Sequence, residues 1–457
     1  MLQGDKLRLT ITGLNNEGEG VVRTGGERFV LFVPDALPGE DVTVRIVQVK
    51  KNYGLAKVLE RHCDSADRVE PLCPSFSRCG GCQLQHMKYE AQLRLKTQTV
   101  FDALTRIAGL SEPPVKNCLA SPQQWGYRNK ASLPAQIDRM ENLKAGFYKK
   151  RSHDVVPFDR CPVLMPRLEK QLCRMLTLIK QEGLNGYNES SPNNNINFIR
   201  HIVARSSFYT DEALGGVVAK RYPNKSEKTA LQNIAEKISV SSNGFILNIN
   251  NREGNFIWGE KFDCLAGKAV MEERLANFRF QFELSSFFQV NSAQALALYN
   301  FAAKEALCRG TAHLLELYSG VGSLTSFLAS GCEDVTAVES WQPAAKFILP
   351  NAKLNGLHNI TARDGLAEDI VLQLTDKKFD TVVIDPPRTG CTPSVVNALL
   401  KISPAKIVYV SCNPATLARD AKILLADKYN LITAQPFDMF PQTGHVETVA
   451  LMSRVEK

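Results

Sequence analysis

The sequence predicts an α/β protein whose C-terminal part is a doubly wound, mainly parallel sheet. Three observations carry that reading. From about residue 284, strand-like and helix-like stretches alternate. Leu314-Leu-Glu-Leu317 runs into a glycine loop, Tyr318-Ser-Gly-Val-Gly322. Two further apolar runs stop abruptly on reactive side chains: Phe379–Ile384 on Asp385, and Ile407–Ser411 on Cys412. In such sheets ligands collect at the carboxyl ends of the strands.

A chain of 457 residues exceeds one core, so two or three domains are expected. Residues 6–60 read as five short strands: 6–12, the pair Val21-Val22, 28–33, 41–47 and 53–59. Turns at Gly18-Glu-Gly20 and Pro38-Gly39 separate them, which suggests a small closed OB-type β-barrel over 1–61. Residues 62–275 read as a central α+β domain. It begins with a cysteine-rich loop and a helix at about 84–115 that Pro113-Pro114 ends. Strands at 130–135, 145–148, 196–203, 215–219 and 244–249 follow, with a helix near Arg167–Gln181 and a polar loop at Asn188–Asn195. The third domain, 276–457, carries strands at 312–318, 334–339, 359–363, 380–385, 405–411, 430–434 and 446–452. Helices are expected at Ser292–Leu307, Leu324–Ser330 and Pro343–Asn355.

No run of 18 apolar residues occurs, so no membrane span is expected. The first residues lack the layout of a secretion signal, and a cytoplasmic location is the expectation. Twelve cysteines in such a chain point to metal binding or chemistry rather than disulfides. The net charge of +8 concentrates in 61–170, where 18 basic residues face 11 acidic ones. That excess fits a polyanion surface as well as a plain solvated face.

The loop at 318–323 lets the backbone approach a ligand, and Glu339, at the end of the next strand and 23 residues after Glu316, can hold ribose hydroxyls. Thr325 replaces the third glycine of the dinucleotide fingerprint, so with the terminal Asp385-Pro-Pro-Arg388 the pattern favours S-adenosylmethionine over NAD. Cys412, on the Ser411-Cys-Asn-Pro414 turn, is the candidate nucleophile, and Glu447 in His445-Val-Glu447 the candidate base. Asp385 could hold the donor or serve the base. Cys391 is a rival thiol, read as structural. Cys73-x5-Cys79-x2-Cys82, with Cys161 before Pro162, forms a set of four thiols that suits zinc or an iron–sulfur cluster. The unequal spacing leans towards the latter.

On Cys73-x5-Cys79-Gly-Gly-Cys82-Gln-Leu-Gln-His86, Phe287-Phe-Gln-Val-Asn291, Asp385-Pro-Pro-Arg388 and Ser411-Cys-Asn-Pro-Ala-Thr416, the chain resembles the bacterial RNA (uracil-5-)-methyltransferases. It is most similar to the subgroup with an N-terminal TRAM barrel and a [4Fe-4S] cluster that modifies 23S ribosomal RNA. The resemblance implies a Rossmann-like methyltransferase domain and a central iron–sulfur domain. It makes Cys412 the nucleophile, Glu447 the general base, and Cys73, Cys79, Cys82 and Cys161 the cluster ligands. Gln289, Tyr318, Ser323, Glu339, Asp364 and Asp385 would contact S-adenosylmethionine. Phe287 would stack near a flipped uracil, and Arg128 and Lys130 would meet RNA. Ser319 and Ser323 stand where many relatives have cysteine and asparagine. The 84–115 helix would pack on the catalytic domain, and a monomer is expected. Transfer RNA or a second 23S site is the alternative substrate. Cytosine-5 methylation is weaker, because Arg388 rather than cysteine follows Asp385-Pro-Pro; a radical enzyme would show Cys-x3-Cys-x2-Cys. Residues 205–260 match no motif.

Overall fold

The computed structural model describes residues 2–24, 29–138, 140, 142–187, 197–254, 256–308 and 310–455. The loop expected at Asn188–Asn195 and Arg28 of the third barrel strand lie outside them.

The N-terminal unit has six strands rather than five: Lys6–Thr10, Gly13–Leu14, Gly20–Thr24, Phe29–Val33, Asp41–Val49 and Tyr53–Cys63. Alternating apolar residues, among them Leu31, Val33, Val42, Val44 and Ile46, turn inward to one core. The first two strands are the two edges of the sheet and share no ladder, so the barrel is partly open rather than closed. Glu40, fully buried, fastens the barrel to the next segment. It accepts from the Leu37 amide at 3.0 Å and from the Arg61 and Arg68 guanidiniums at 3.2 and 3.0 Å. Burial, the largest single influence, pushes its pKa up, but the Arg68 bond and charge together with the Leu37 and Ser65 amides outweigh it and the net shift is downward.

The central unit is a seven-stranded mixed sheet with neighbours 261–267, 244–249, 213–219, 199–206, 130–137, 143–148 and 155–157. Two helices, Pro166–Gln181 and Lys225–Ser239, cover one face. The second of these was not anticipated. Its N-terminus carries a capping box, with the Asn224 side chain accepting from the Glu227 amide at 2.9 Å and the Glu227 carboxylate from the Asn224 amide at 2.8 Å. The expected helix at 84–115 is shorter, Tyr89–Ala103, continued by a π turn to Ala108 that Gly109 ends at φ +81°. It does pack on the catalytic unit: Lys96 forms an ion pair with Asp438, and the Gln92 side chain donates to Gln442 at 3.0 Å.

The catalytic sheet has the order 360–364, 334–339, 313–317, 381–384, 406–411, 447–454, 429–437. Its first five strands are parallel, and strand Glu447–Arg454 inserts antiparallel between the last two. The strand order reverses between 313–317 and 381–384, which opens a crevice there. A hairpin, Val270–Leu275 with Phe278–Glu283, precedes this unit and was not anticipated. The helix expected at Pro343–Asn355 is two, Gln342–Ala345 and Ile348–Leu354.

Candidate active site

The reactive residues meet at the carboxyl edge of the catalytic sheet. Ser411 pairs with Thr448 as the last rung of the antiparallel ladder, so Cys412 leaves its strand beside Glu447, the first residue of the other, and the Glu447 charge acts on its thiol. The turn bearing Cys412 is stitched to the Asp385 loop: the Asn413 side-chain amide donates to the Arg388 carbonyl at 3.1 Å, and its oxygen caps the following helix through the Ala415 amide at 3.1 Å. Cys391, the rival thiol, is buried with its amide on the Asp420 carboxylate at 2.9 Å, which is a structural environment.

In the loop after strand His313–Leu317 three alternate residues take left-handed backbone, Tyr318 (φ +66°), Gly320 (φ +59°) and Gly322 (φ +82°). For tyrosine that conformation is a strain, found where a site over-determines the chain. Glu339 accepts from the Gly320 amide at 2.8 Å and the Trp341 amide at 2.6 Å, which fixes its carboxylate beside the loop. Ser323 meets the Tyr299 hydroxyl at 3.0 Å. Asp364 ends its strand in the open and is held by the Gln342 side chain. Gln289 is buried, its carbonyl accepting from Asn129 at 3.0 Å, while its neighbour Phe287 is 62% exposed.

Several acids crowd this edge. Burial pushes Asp385 up to about 7, with Glu339 adding to it. Burial and Asp385 push Glu447 up to about 8, against the pull of Arg388. Glu316, a lone acid in an apolar strand that the sequence reading did not single out, is pushed up to about 8 by burial, opposed by its bond from Thr325. Burial, Glu447 and Asp385 together raise the Cys412 thiol to about 11, and Arg388 opposes them. Acids held largely protonated by burial and by one another would ionise more readily beside a ligand that brings positive charge, as a sulfonium does.

Cys73, Cys79, Cys82 and Cys161 line a single cavity of about 330 Å³, together with Arg128, Arg388 and His445. Among the described residues no group of three or more His, Cys, Asp or Glu is spaced to hold a metal ion. Zn–S bonds of ~2.3 Å would set sulfurs roughly 3.8 Å apart. Lys130, outside that cavity, holds its ammonium 5.5 Å from the Trp258 ring centre, and burial, with Arg205 and Arg128 nearby, drives its pKa well down.

Residues 88–455 match the profile described as tRNA (Uracil-5-)-methyltransferase, and residues 2–59 match the TRAM domain. The chain belongs to the RNA (uracil-5-)-methyltransferase family. It is 36% identical over 452 residues to an uncharacterized RNA methyltransferase of Halalkalibacterium halodurans, covering 98% of this chain and 97% of that one. It is 38% identical over 454 residues to another of Gloeobacter violaceus, covering 99% and 98%. The crystal structure of the Pyrococcus abyssi tRNA (uracil-54, C5)-methyltransferase with S-adenosyl-L-homocysteine superimposes with a TM-score of 0.75 at 29% identity, over 98% of this chain and all of that one. This methyltransferase therefore uses S-adenosylmethionine on the uracil of an RNA. Among its described residues no helix is long and apolar enough to cross a membrane.

Proposed function

We propose that this enzyme methylates carbon 5 of a uridine in 23S ribosomal RNA through a covalent adduct on Cys412. The observation that carries the reading is the ladder register that sets Cys412 beside Glu447. The Cys412 sulfur adds to carbon 6 of the uracil, and the ring electrons move to carbon 5. Gln289, Tyr318, Ser323, Glu339, Asp364 and Asp385 would hold S-adenosylmethionine, whose electrophilic methyl group carbon 5 would take with its electron pair, the donor leaving as S-adenosylhomocysteine with the electrons of the broken S–C bond. Glu447 then accepts the carbon 5 proton. The carbon 5–carbon 6 double bond re-forms, and the sulfur leaves carbon 6 with the electron pair of its bond. Phe287, exposed at the rim, gives the flipped base a ring to stack on.

Cys73, Cys79, Cys82 and Cys161 would hold a [4Fe-4S] cluster. Their convergence on one cavity supports this. The cluster would supply a rigid core for this loop, since methyl transfer needs no electrons. Arg128 contributes positive charge at that wall.

Transfer RNA is the second reading. The archaeal neighbour acting on transfer RNA spans nearly the whole chain, so the length that includes the barrel does not by itself separate the two substrates. Anaerobically purified protein, S-adenosylmethionine and a 5-fluorouridine-containing 23S domain transcript should give a covalent protein–RNA band that Cys412→Ala loses, because fluorine cannot leave carbon 5 as a proton does. A band with transfer RNA alone would move the substrate; no band with either would remove the adduct mechanism.

A further inference from the structure

Outside the catalytic edge, the central sheet carries a cavity of about 660 Å³ on the face its helices leave uncovered. Ser132, Pro134 and Gln136 of strand Lys130–Ile137 form its floor. The neighbouring strand, Ile199–Ser206, is irregular between Ile199 and His201, and the extra residue turns Arg200 and His201 into the cavity together.

The charges at the wall are already committed. The Arg200 guanidinium donates to the carbonyls of Asn250, Arg252 and Gly254 at 3.1, 2.6 and 3.1 Å, and stands 5.5 Å from the Tyr187 ring centre. Asp154 is paired with Lys149 at 2.9 Å. Two buried polar atoms are left with no partner: the His201 Nδ1 and the Ser132 hydroxyl. Burial pushes His201 down to about 4, so its imidazole is neutral at pH 7 and can donate or accept. At the rim, Tyr148 is 40% exposed and packs edge-on to His153 with ring centres 5.7 Å apart.

Neutral polar edges inside, a ring at the mouth and no spare charge among the described residues describe a site for an uncharged planar heterocycle rather than for a phosphate or carboxylate. The floor strand gives the direction. Its start lies against the catalytic unit, where the Asn129 amide donates to the Val290 carbonyl at 2.8 Å, beside Gln289. The six residue steps of strand from Lys130 to Gln136 span roughly 20 Å, within reach of a nucleotide a few positions from the target along an extended RNA. We infer that this cavity takes an unpaired base flanking the target uridine, with His201 and Ser132 reading its edge and Tyr148 stacking at the mouth. The inference rests on the proposed RNA methylation and adds a second point of sequence reading to it.

Steady-state methylation of the RNA that the wild-type enzyme accepts tests it. The Ser132→Ala/His201→Ala double variant, and separately Tyr148→Ala at the exposed rim, should raise KM for RNA about tenfold. kcat and the affinity for S-adenosylmethionine should stay as in wild type. One flanking nucleotide, made abasic, should raise the wild-type KM equally and abolish the difference between wild type and variants. If both variants keep the wild-type KM, or no abasic position is non-additive with them, the inference is overturned while the methylation stands. Wild-type protein that methylates no RNA overturns both. Saturable dialysis binding of free AMP or UMP, lost in the double variant with RNA KM unchanged, would reassign the cavity to a small molecule.

Discussion

Lys96 and Asp438 form an ion pair with both side chains wholly enclosed, 342 residues apart in the chain. The Lys96 ammonium also donates to the Phe440 carbonyl at 3.1 Å. The pair ties the N-terminal helix to the loop that leads into Glu447. Lys96→Met would strand a buried carboxylate whose other oxygen already has no partner, at a cost of about 3–5 kcal/mol. Urea titration should show that loss. The double variant Lys96→Met/Asp438→Leu should recover most of it, because two apolar groups leave nothing unpaired.

Glu447→Gln should separate the two halves of the chemistry. The amide cannot accept the carbon 5 proton, so kcat should fall by about 10²–10⁴. The covalent RNA adduct should accumulate on unmodified uridine, visible as a slow band in denaturing gels. Cys412→Ala should give neither product nor band.

The raised acids impose a pH dependence. As the proposed base Glu447 would work only when ionised, and burial and Asp385 push its pKa up to about 8 in the free site. kcat/KM should therefore climb as pH rises from 6 to about 8.5. The stability effect has the opposite sign. A carboxyl raised from 4.5 to about 8 on folding favours the native state fully below pH 4.5, and that contribution is lost as pH rises towards 8. Glu447→Gln should thus unfold like wild type at pH 5 but be more stable by about 2 kcal/mol at pH 9, as measured by denaturant titration at both values.

Glu40 runs the other way. Its folded pKa lies below the ordinary 4.5, so the Arg68 pair adds stability above about pH 4.5 and loses it as pH falls through the folded value. Glu40→Gln should cost about 3 kcal/mol at pH 7 and progressively less as pH falls through the folded value, read from far-UV circular dichroism melts.

The catalytic strands were legible because both their faces are buried: Ile407–Ser411 is one apolar run, and it ends where the structure ends it. The single helix expected over 343–355 failed at Pro350. Proline has no amide to donate and is tolerated only in a first turn, so the chain restarts its helix at Ile348. The helix Lys225–Ser239 was missed although its Asn224-x-x-Glu227 cap is visible in the sequence. The hairpin at 270–283 was missed although Phe278-Arg-Phe-Gln-Phe282 alternates plainly. At the site, Cys412, Asp385 and Glu339 could be placed because each ends a strand. The meeting of Cys412 and Glu447 could not, since it depends on a strand that reverses direction and enters between two others. Glu316 was hidden by its setting, a lone acid among leucines that reads as a strand and nothing more.

The strand Glu447–Arg454 lies between two strands made before it. A chain made only up to residue 446 holds the barrel, the cysteine loop and Cys412, yet has a slot in the middle of the last sheet. Glu447, the proposed base, arrives only with the strand that fills the slot. On the proposed mechanism such a chain carries the thiol without the carboxylate that would release its product, and the ability to complete a methylation arises with the closing of the sheet.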